Sequence, residues 1–187
     1  SCNLRAVKVK RFRANGFCSL WNILRIKAYI LTAEQIIRDW EKKIYKPIYW
    51  LEGEESFFIN QVMDYAEANL LPEAEKAFNQ SVFYGKDADW TAVLNACRRY
   101  PMFSEKQVVL LKEAQQMRDI ARLESYIQQP LASTILIVSY KDKKVDGRSK
   151  LSKLLKEKGE LLSTRKIYEN QLPEWVSSLL ESKGFSI

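Results

Sequence analysis

Histidine is absent from this chain of 187 residues, and cysteine is scarce. Without imidazole, the Ser-His and Cys-His nucleophile systems and the commonest metal ligand are excluded. The three cysteines, Cys2, Cys18 and Cys97, follow no recognisable spacing. This argues against a Cys/His zinc site and against a disulfide framework, and it suits a reducing compartment. We therefore expect a cytoplasmic protein without a metal.

Long apolar runs are also missing. No stretch approaches the roughly 20 apolar residues that a membrane-spanning helix needs, so we expect no membrane partner. Residues 1–31 resemble a secretory signal only loosely, because Arg25 and Lys27 interrupt their apolar stretch. The length of the chain predicts one hydrophobic core with little left for a second.

Acidic side chains are lacking in residues 1–31, which hold seven basic residues and therefore the whole formal charge of +7. The other 156 residues carry 23 basic and 23 acidic side chains and sum to zero. One interpretation is a basic arm that contacts the phosphates of DNA or a membrane. The other, which we favour, is an extension outside the fold, because an organised pattern begins only at Thr32.

From Thr32 onward, helical and strand patterns alternate. The first helix is predicted to begin with a capping box over Thr32–Gln35 and to stop at Pro47. Its apolar residues follow one another at helical spacing: Ala33, Ile36, Ile37, Trp40 and Ile44. Further helices are predicted from Ser56 and over Trp90–Arg99, Met117–Gln128, Lys150–Lys158 (capped by Gly159) and Leu172–Lys183. Strands are predicted over Ile48–Leu51, Ser81–Tyr84, Gln107–Leu111, Thr134–Ser139 and Glu160–Ser163.

These strands are continuously apolar rather than alternating in polarity. Such strands, separated by helices, predict an α/β fold with a mostly parallel sheet of about five strands and helices on both faces. The aliphatic and aromatic residues of the elements are accordingly expected in the core.

The first strand-to-helix turn is where such sheets commonly bind nucleotides. Here it contains one glycine, Gly53, no lysine, and the carboxylates of Glu52, Glu54 and Glu55. A phosphate-binding loop needs several glycines and a lysine, so no nucleotide cofactor is expected. The carboxylates either complement the dipole of the following helix, which we favour, or form a metal site with Asp142 or Asp146.

A basic stretch follows the strongest predicted strand. Residues 141–158 hold eight basic and three acidic side chains. One interpretation is a solvated helix face. The other is contact with the phosphates of DNA, for which the candidate residues are Lys143, Lys144, Arg148 and Lys150.

The connector between the Trp90–Arg99 helix and the next strand carries an apolar pair, Met102 and Phe103. Pro101 prevents the helix from continuing and biases Tyr100 toward an extended conformation. Connectors normally run on the surface, where such a pair would anchor a partner's hydrophobic pocket. The alternative is that both side chains fold back as a lid on the core, and the residues alone leave both possibilities open.

Four blocks, in order along residues 32–187, resemble the delta subunit family of the bacterial DNA polymerase III clamp loader. They are residues 46–58 (KPIYWLEGEESFF), the segment Asp89–Leu111, residues 134–139 (TILIVS) with the basic stretch after them, and residues 171–176 (QLPEWV). Residues 1–31 lie outside the resemblance.

This resemblance implies an AAA+-like domain of the P-loop NTPase type over residues 32–168, without a functional phosphate loop. Residues 169–187 would begin a second, helical domain, so that the chain is a fragment of a longer subunit. The implied function in DNA replication is to bind the sliding clamp (the beta subunit) and to favour an opened ring. The chain would have no enzymatic activity of its own within the polymerase holoenzyme, and sibling subunits would hydrolyse ATP.

In this family the clamp contact is a Leu-Phe-type pair, which falls here on Met102 and Phe103, flanked by Tyr100 and Pro101. Methionine in place of leucine conserves volume. A glutamine that often opens the motif is replaced by Arg98, a departure in the polar part of the contact. Contacts with the other loader subunits would be made by C-terminal regions beyond this chain.

Two other functions compete with this one. An enzyme acting on nucleotides would require a pocket with convergent polar groups. A DNA-binding module would use residues 1–31 and 141–158.

Overall fold

The computed structural model describes residues 32–166 and, beyond them, Pro173, Val176, Ser177 and Leu180. Residues 32–41 form helix α1. The elements that follow are β1 (Ile48–Gly53), α2 (Ser56–Asn69), α3 (Glu73–Asn79), β2 (Gln80–Tyr84), α4 (Trp90–Arg98), β3 (Gln107–Lys112), 3-10 turns at Ala114–Gln116 and Ile120–Leu123, α5 (Glu124–Ile127), β4 (Thr134–Lys141), α6 (Lys150–Lys158) and β5 (Glu160–Thr164). Among the described residues, none of the helices is long and apolar enough to span a membrane.

The five strands form one sheet in the order β2-β3-β4-β1-β5, and every neighbouring pair is parallel. This confirms the predicted α/β class and the predicted parallel sheet. All strands therefore begin at one edge of the sheet, here called the amino edge, and end at the opposite edge, the carboxyl edge. A loop that leads into a strand lies at the amino edge, and a loop that leaves a strand lies at the carboxyl edge.

Both faces of the sheet are covered. Tyr49 and Leu51 of β1 point into a cluster that includes Phe58 of α2, whereas Ile48 and Trp50 point into a second cluster on the other face. The first four residues of β1 are thus buried on alternate sides, which explains the continuously apolar sequence. Burying each such side chain contributes about 1.5–3 kcal/mol.

The prediction of one continuous helix over Met117–Gln128 was wrong. The segment contains a 3-10 turn at Ile120–Leu123 and only four α-helical residues, Glu124–Ile127. Asp119 adopts a left-handed conformation with φ 54°, which a continuous right-handed helix does not accommodate. Most apolar side chains of the segment are nevertheless buried, because successive short turns bring Leu123, Tyr126 and Ile127 to the same cluster, whereas Ile120 is only partly buried.

The first helix also differs from its prediction. Residue 32 is already helical, and the residue before it lies outside the described part of the chain, so the capping box at Thr32 stays a prediction. The helix ends at residue 41, Lys43 takes a left-handed φ of 59°, and Ile44, expected in the core, is exposed. The chain turns well before Pro47, and Ile44 thereby leaves the buried face.

Two features were not anticipated. Helix α3 (Glu73–Asn79) was missed, although Pro72 before it and two glutamates in its first turn are typical of a helix start. Strand β2 lies at the edge of the sheet, and its Val82 and Tyr84 are exposed rather than in the core. An edge strand has one neighbour, so fewer of its side chains are covered.

The C-terminal prediction is tested at four positions only. Pro173, Val176, Ser177 and Leu180 are helical, as predicted for Leu172–Lys183. The remaining residues of that helix, and residues 1–31, lie outside the described part of the chain. The proposed domain boundary at residues 168/169 stays a prediction.

Candidate partner-binding site

The loop between α4 and β3, residues 99–106, lies at the amino edge and presents four consecutive residues that we call the apolar tip: Tyr100, Pro101, Met102 and Phe103. The side chain of Phe103 is 96% exposed, that of Tyr100 is 78% exposed and that of Met102 is 53% exposed. Met102 and Phe103 therefore do not fold back on the core, and the lid alternative is excluded. An isolated exposed apolar residue is ordinary, but a contiguous group of this kind is typical of an interaction surface.

Asn79 holds the apolar tip from outside the loop. Its Oδ1 accepts a hydrogen bond from the backbone N–H of Met102 at 2.7 Å, and its Nδ2 donates to the Met102 carbonyl oxygen at 2.8 Å. Asn79 is the last residue of α3 and only 3% exposed. The carboxamide thus satisfies both backbone groups of one tip residue, as a neighbouring strand would.

Gln107, the first residue of β3, anchors the start of the loop. Its buried Nε2 lies 2.5 Å from the carbonyl oxygen of Arg99 and 2.7 Å from Oγ1 of Thr134. The Thr134 hydroxyl in turn donates to the Cys97 carbonyl at 3.0 Å. Carbonyls at the end of a helix have no partner within it, and these side chains supply one for α4.

The backbone of the tip is strained at one position. Phe103 has φ 55°, in the left-handed region that a residue with a Cβ adopts at a cost of about 1–2 kcal/mol. Glycine would avoid that cost. A large aromatic side chain on such a backbone is the kind of local strain that often accompanies a functional surface.

Charge around the tip is predominantly positive. Residues 98–106 contain Arg98, Arg99 and Lys106 against one acidic residue, Glu105. A side-chain nitrogen of Arg99 donates to Oγ of Ser81 on β2 at 3.1 Å, and Nζ of Lys106 donates to the Ala132 carbonyl at 2.7 Å. A partner with an acidic rim around a hydrophobic pocket would match this pattern.

The layer behind the loop is uncharged. Burial raises the pKa of the Cys97 thiol to about 12. Burial likewise raises the pKa of Tyr126 to about 12, and its hydroxyl accepts a hydrogen bond from the backbone N–H of Leu131 at 3.3 Å. Both side chains remain protonated at neutral pH, so the support of the loop does not change with pH in that range.

The Gly53 turn, at the carboxyl edge, is filled by the end of β5. Gly53 has φ 124°, and a Cβ on it would lie 2.1 Å from the Thr164 carbonyl oxygen. The Thr164 hydroxyl accepts from the Glu55 N–H at 3.2 Å and donates to the Glu55 carbonyl at 3.0 Å. Oε1 of Glu55 accepts the N–H of Phe57 at 3.2 Å as the N-cap of α2. The backbone N–H groups of Glu55 and Phe57 are therefore already bonded within the turn and are not free for a phosphate.

The acidic residues near this turn have separate structural partners. Glu52 is buried, and its Oε2 accepts from Nε1 of Trp50 at 3.2 Å and from the Val145 N–H at 3.0 Å. Glu54 accepts the N–H of Lys166, and Asp146 accepts that of Arg148. Within the part of the chain that the structure describes, no group of three or more candidate ligands could hold a metal ion. Each carboxylate organises backbone instead.

The basic candidates Lys143, Lys144, Arg148 and Lys150 lie on or beside the loop from β4 to α6, again at the carboxyl edge. All four side chains are exposed, and across residues 32–166 none of them forms an ion pair. This basic surface and the apolar tip are therefore at opposite edges of the sheet, and the fold does not bring them together.

Sequence reasoning identified the tip but missed the side chains that hold it, Asn79, Gln107 and Thr134. A buried asparagine or glutamine next to an apolar run is a weak signal of such a role. The partners of Asn79 lie 23 residues away in sequence, and local spacing contains no information about them.

Comparisons with known proteins agree with the fold. A sequence model of the family described as DNA polymerase III, delta subunit, matches residues 49–165. The DNA polymerase III subunit delta of Bacillus subtilis (strain 168) is 22% identical over a match covering 75% of this chain and 44% of the relative. The structure of the Bacillus subtilis DNA clamp loader delta protein superimposes with a TM-score of 0.69 and 20% identity, over 81% of this chain and 48% of that one. The chain thus spans less than half the length of these relatives.

Proposed function

This chain belongs to the DNA polymerase III delta subunit family, and from that membership we propose that it binds the sliding clamp of DNA replication through its apolar tip. The observation that supports this most directly is Phe103, which is 96% exposed next to Met102, whose backbone the buried Asn79 side chain holds. An aromatic side chain that enters a partner's pocket contributes about 2 kcal/mol or more to binding. Tyr100, Pro101 and Met102 would line the same contact.

Binding would favour the opened form of the ring. The clamp is a closed ring whose opened form is a minor state, and a protein that binds the opened form better shifts the population without a chemical step. We propose no catalytic activity for this chain. ATP hydrolysis would belong to sibling subunits, and the occupied Gly53 turn supports this division. Such a role places the chain in the cytoplasm, with contacts to other loader subunits made by regions beyond it.

The test of the tip is a titration of the 187-residue chain with purified bacterial sliding clamp. Phe103→Ala is expected to weaken binding at least tenfold while the domain stays folded, because the anchor is lost but no core contact is removed. The matched control is Phe57→Ala, the same change at the carboxyl edge, where Phe57 is 37% exposed. It is expected to leave affinity unchanged.

Calorimetry measures both affinities, and circular dichroism measures folding. Equal affinities for Phe103→Ala and the unchanged chain would remove the tip from the clamp contact. Equal losses in Phe103→Ala and Phe57→Ala would attribute the effect to general destabilisation.

We propose phosphate contact as a second function, through Lys143, Lys144, Arg148 and Lys150. The supporting observation is that four exposed cations share one loop and helix start without ion-pair partners among the described residues. Since the proposed clamp contact lies at the other edge, DNA could be bound at the same time.

A further inference from the structure

We propose that Asn79 is a positioning residue for partner binding: its carboxamide preforms the apolar tip in the conformation that enters the partner's pocket. The inference rests on the proposed function, because it concerns the same contact. It adds a residue outside the α4–β3 loop, on a helix that the sequence did not reveal.

The geometry favours this role. Asn79 binds both the N–H and the carbonyl oxygen of Met102 (2.7 and 2.8 Å), which fixes the peptide groups on both sides of that residue. Phe103 follows directly, with its left-handed φ of 55°. Among the hydrogen bonds of the described residues, those of Asn79 are the ones that hold the backbone within the tip. The nearest other anchor, Gln107, binds at Arg99, before the tip begins.

Asn79 is itself placed rigidly. It ends α3, and its C-cap residue, Gln80, begins β2. It is 3% exposed, so its side chain has little freedom and loses little entropy when it bonds to the tip. The end of α3 and the start of β2, which pairs with β3, thus place the carboxamide at the amino edge, and the carboxamide holds the loop.

The energetic consequence concerns binding more than folding. Without Asn79, the residues around Met102 and Phe103 would sample other backbone conformations, and binding would have to order them again. Ordering a loop on binding costs affinity, and holding it in the bound form beforehand removes that cost. The Phe103 side chain can enter the partner's pocket only when its backbone is held in this conformation. Losing Asn79 should therefore weaken binding much less once the Phe103 side chain, the proposed main anchor, has been removed.

The test is a double-mutant cycle in the 187-residue chain, with purified bacterial sliding clamp as the probe and affinities from calorimetry. Asn79→Ala is expected to weaken binding about fivefold or more, because two hydrogen bonds and the preformed loop are lost. In a Phe103→Ala background the same change is expected to weaken binding by less than about twofold, since coupled residues are not additive. Asn60→Ala, an exposed asparagine on α2, is the control.

Asn79→Asp provides the conservative variant. It keeps an acceptor for the Met102 N–H but places an oxygen against the Met102 carbonyl, so an intermediate loss is expected. This variant also serves if Asn79→Ala fails to fold, because the same cycle can be run with it.

The outcomes separate cleanly. If Phe103→Ala weakens binding but the Asn79 variants do not, the positioning role is wrong and the tip remains the contact. If the loss from an Asn79 variant is the same with and without the Phe103 ring, Asn79 acts independently of the tip and the inference is overturned. If Phe103→Ala itself has no effect, the proposed clamp contact fails first.

Discussion

Phe103 combines two properties that rarely occur together, a large exposed ring and a left-handed backbone with φ 55°. The ring is unfavourable in water, and the backbone conformation is unfavourable for any residue with a Cβ. Neither contributes to the stability of the isolated domain. The proposed binding role would account for an exposed aromatic side chain that the fold does not need.

This cost can be measured by comparing Phe103→Gly with Phe103→Ala. Both variants remove the ring, but only glycine relieves the left-handed backbone strain, which stabilises the folded state by about 1–2 kcal/mol. Glycine also makes the unfolded chain more flexible, which lowers the free energy of unfolding by about 0.4–1 kcal/mol. We expect Phe103→Gly to unfold at a higher temperature than Phe103→Ala, by up to about 4 °C. Both should bind the clamp equally poorly.

Differential scanning calorimetry measures the two transitions. Identical unfolding temperatures, or a lower one for the glycine variant, would show that the φ of residue 103 is not a source of strain.

Residue-scale features were predictable where they depend on neighbours in sequence. Pro101 after Arg98-Arg99 was enough to end the helix and to place Met102 and Phe103 in a connector. Whether they point outward was not decidable, because the side chain that bonds the Met102 backbone is Asn79, 23 residues earlier. A contact that a single carboxamide makes with a distant segment produces no periodic pattern in the sequence.

At the scale of elements, helix α6 and the loop before it make a second prediction. If Lys143 and Lys144 contact DNA phosphates, Lys143→Ala/Lys144→Ala should reduce the slope of log affinity against log salt by up to about 2, uniformly across DNA sequences. The control is Lys42→Ala/Lys43→Ala, which removes the same charge just before β1, at the amino edge. It should leave the slope unchanged.

Fluorescence anisotropy with a labelled duplex, at several salt concentrations, gives the slopes. The measurement is repeated on a chain that lacks residues 1–31, to separate the basic arm from the described domain. Equal slopes for the two double variants would show that net charge alone, and not this loop, governs binding.

How well a strand or helix could be predicted depended on its length and on the residues that flank it. Strands β1, β3 and β4 were placed within two residues of their observed ends, because continuously apolar segments between turn residues have few alternatives. Helix α3 has seven residues and little apolar character, so the pattern did not reveal it. The Met117–Gln128 segment has a helical spacing of buried residues, but the left-handed residue Asp119 interrupts it, and only short turns form.

For the molecule as a whole, we expect stability to fall in alkaline solution. Burial raises the pKa of Cys97 from 9.0 to about 12 and that of Tyr126 from 10.0 to about 12. Because the folded state keeps these protons where the unfolded chain releases them, their contribution is complete below about pH 9 and is lost as pH rises toward 12. The free energy of unfolding should therefore decrease across this window.

Urea denaturation at a series of pH values measures the decrease. Tyr126→Phe removes one of the groups, so between pH 10 and 12 its stability should fall less steeply, by up to about 1.4 kcal/mol per pH unit. An equal slope in the variant would show that Tyr126 does not carry the dependence.

The parallel sheet also acts as a spacer. Strand β4 has eight residues, which at about 3.3 Å each separates the apolar tip from the basic loop by roughly 20 Å or more. Mobile ions screen exposed charges over about 8 Å at physiological ionic strength. If both proposed contacts are made, a polyanion bound at the basic loop would therefore have little electrostatic effect on a ring bound at the apolar tip.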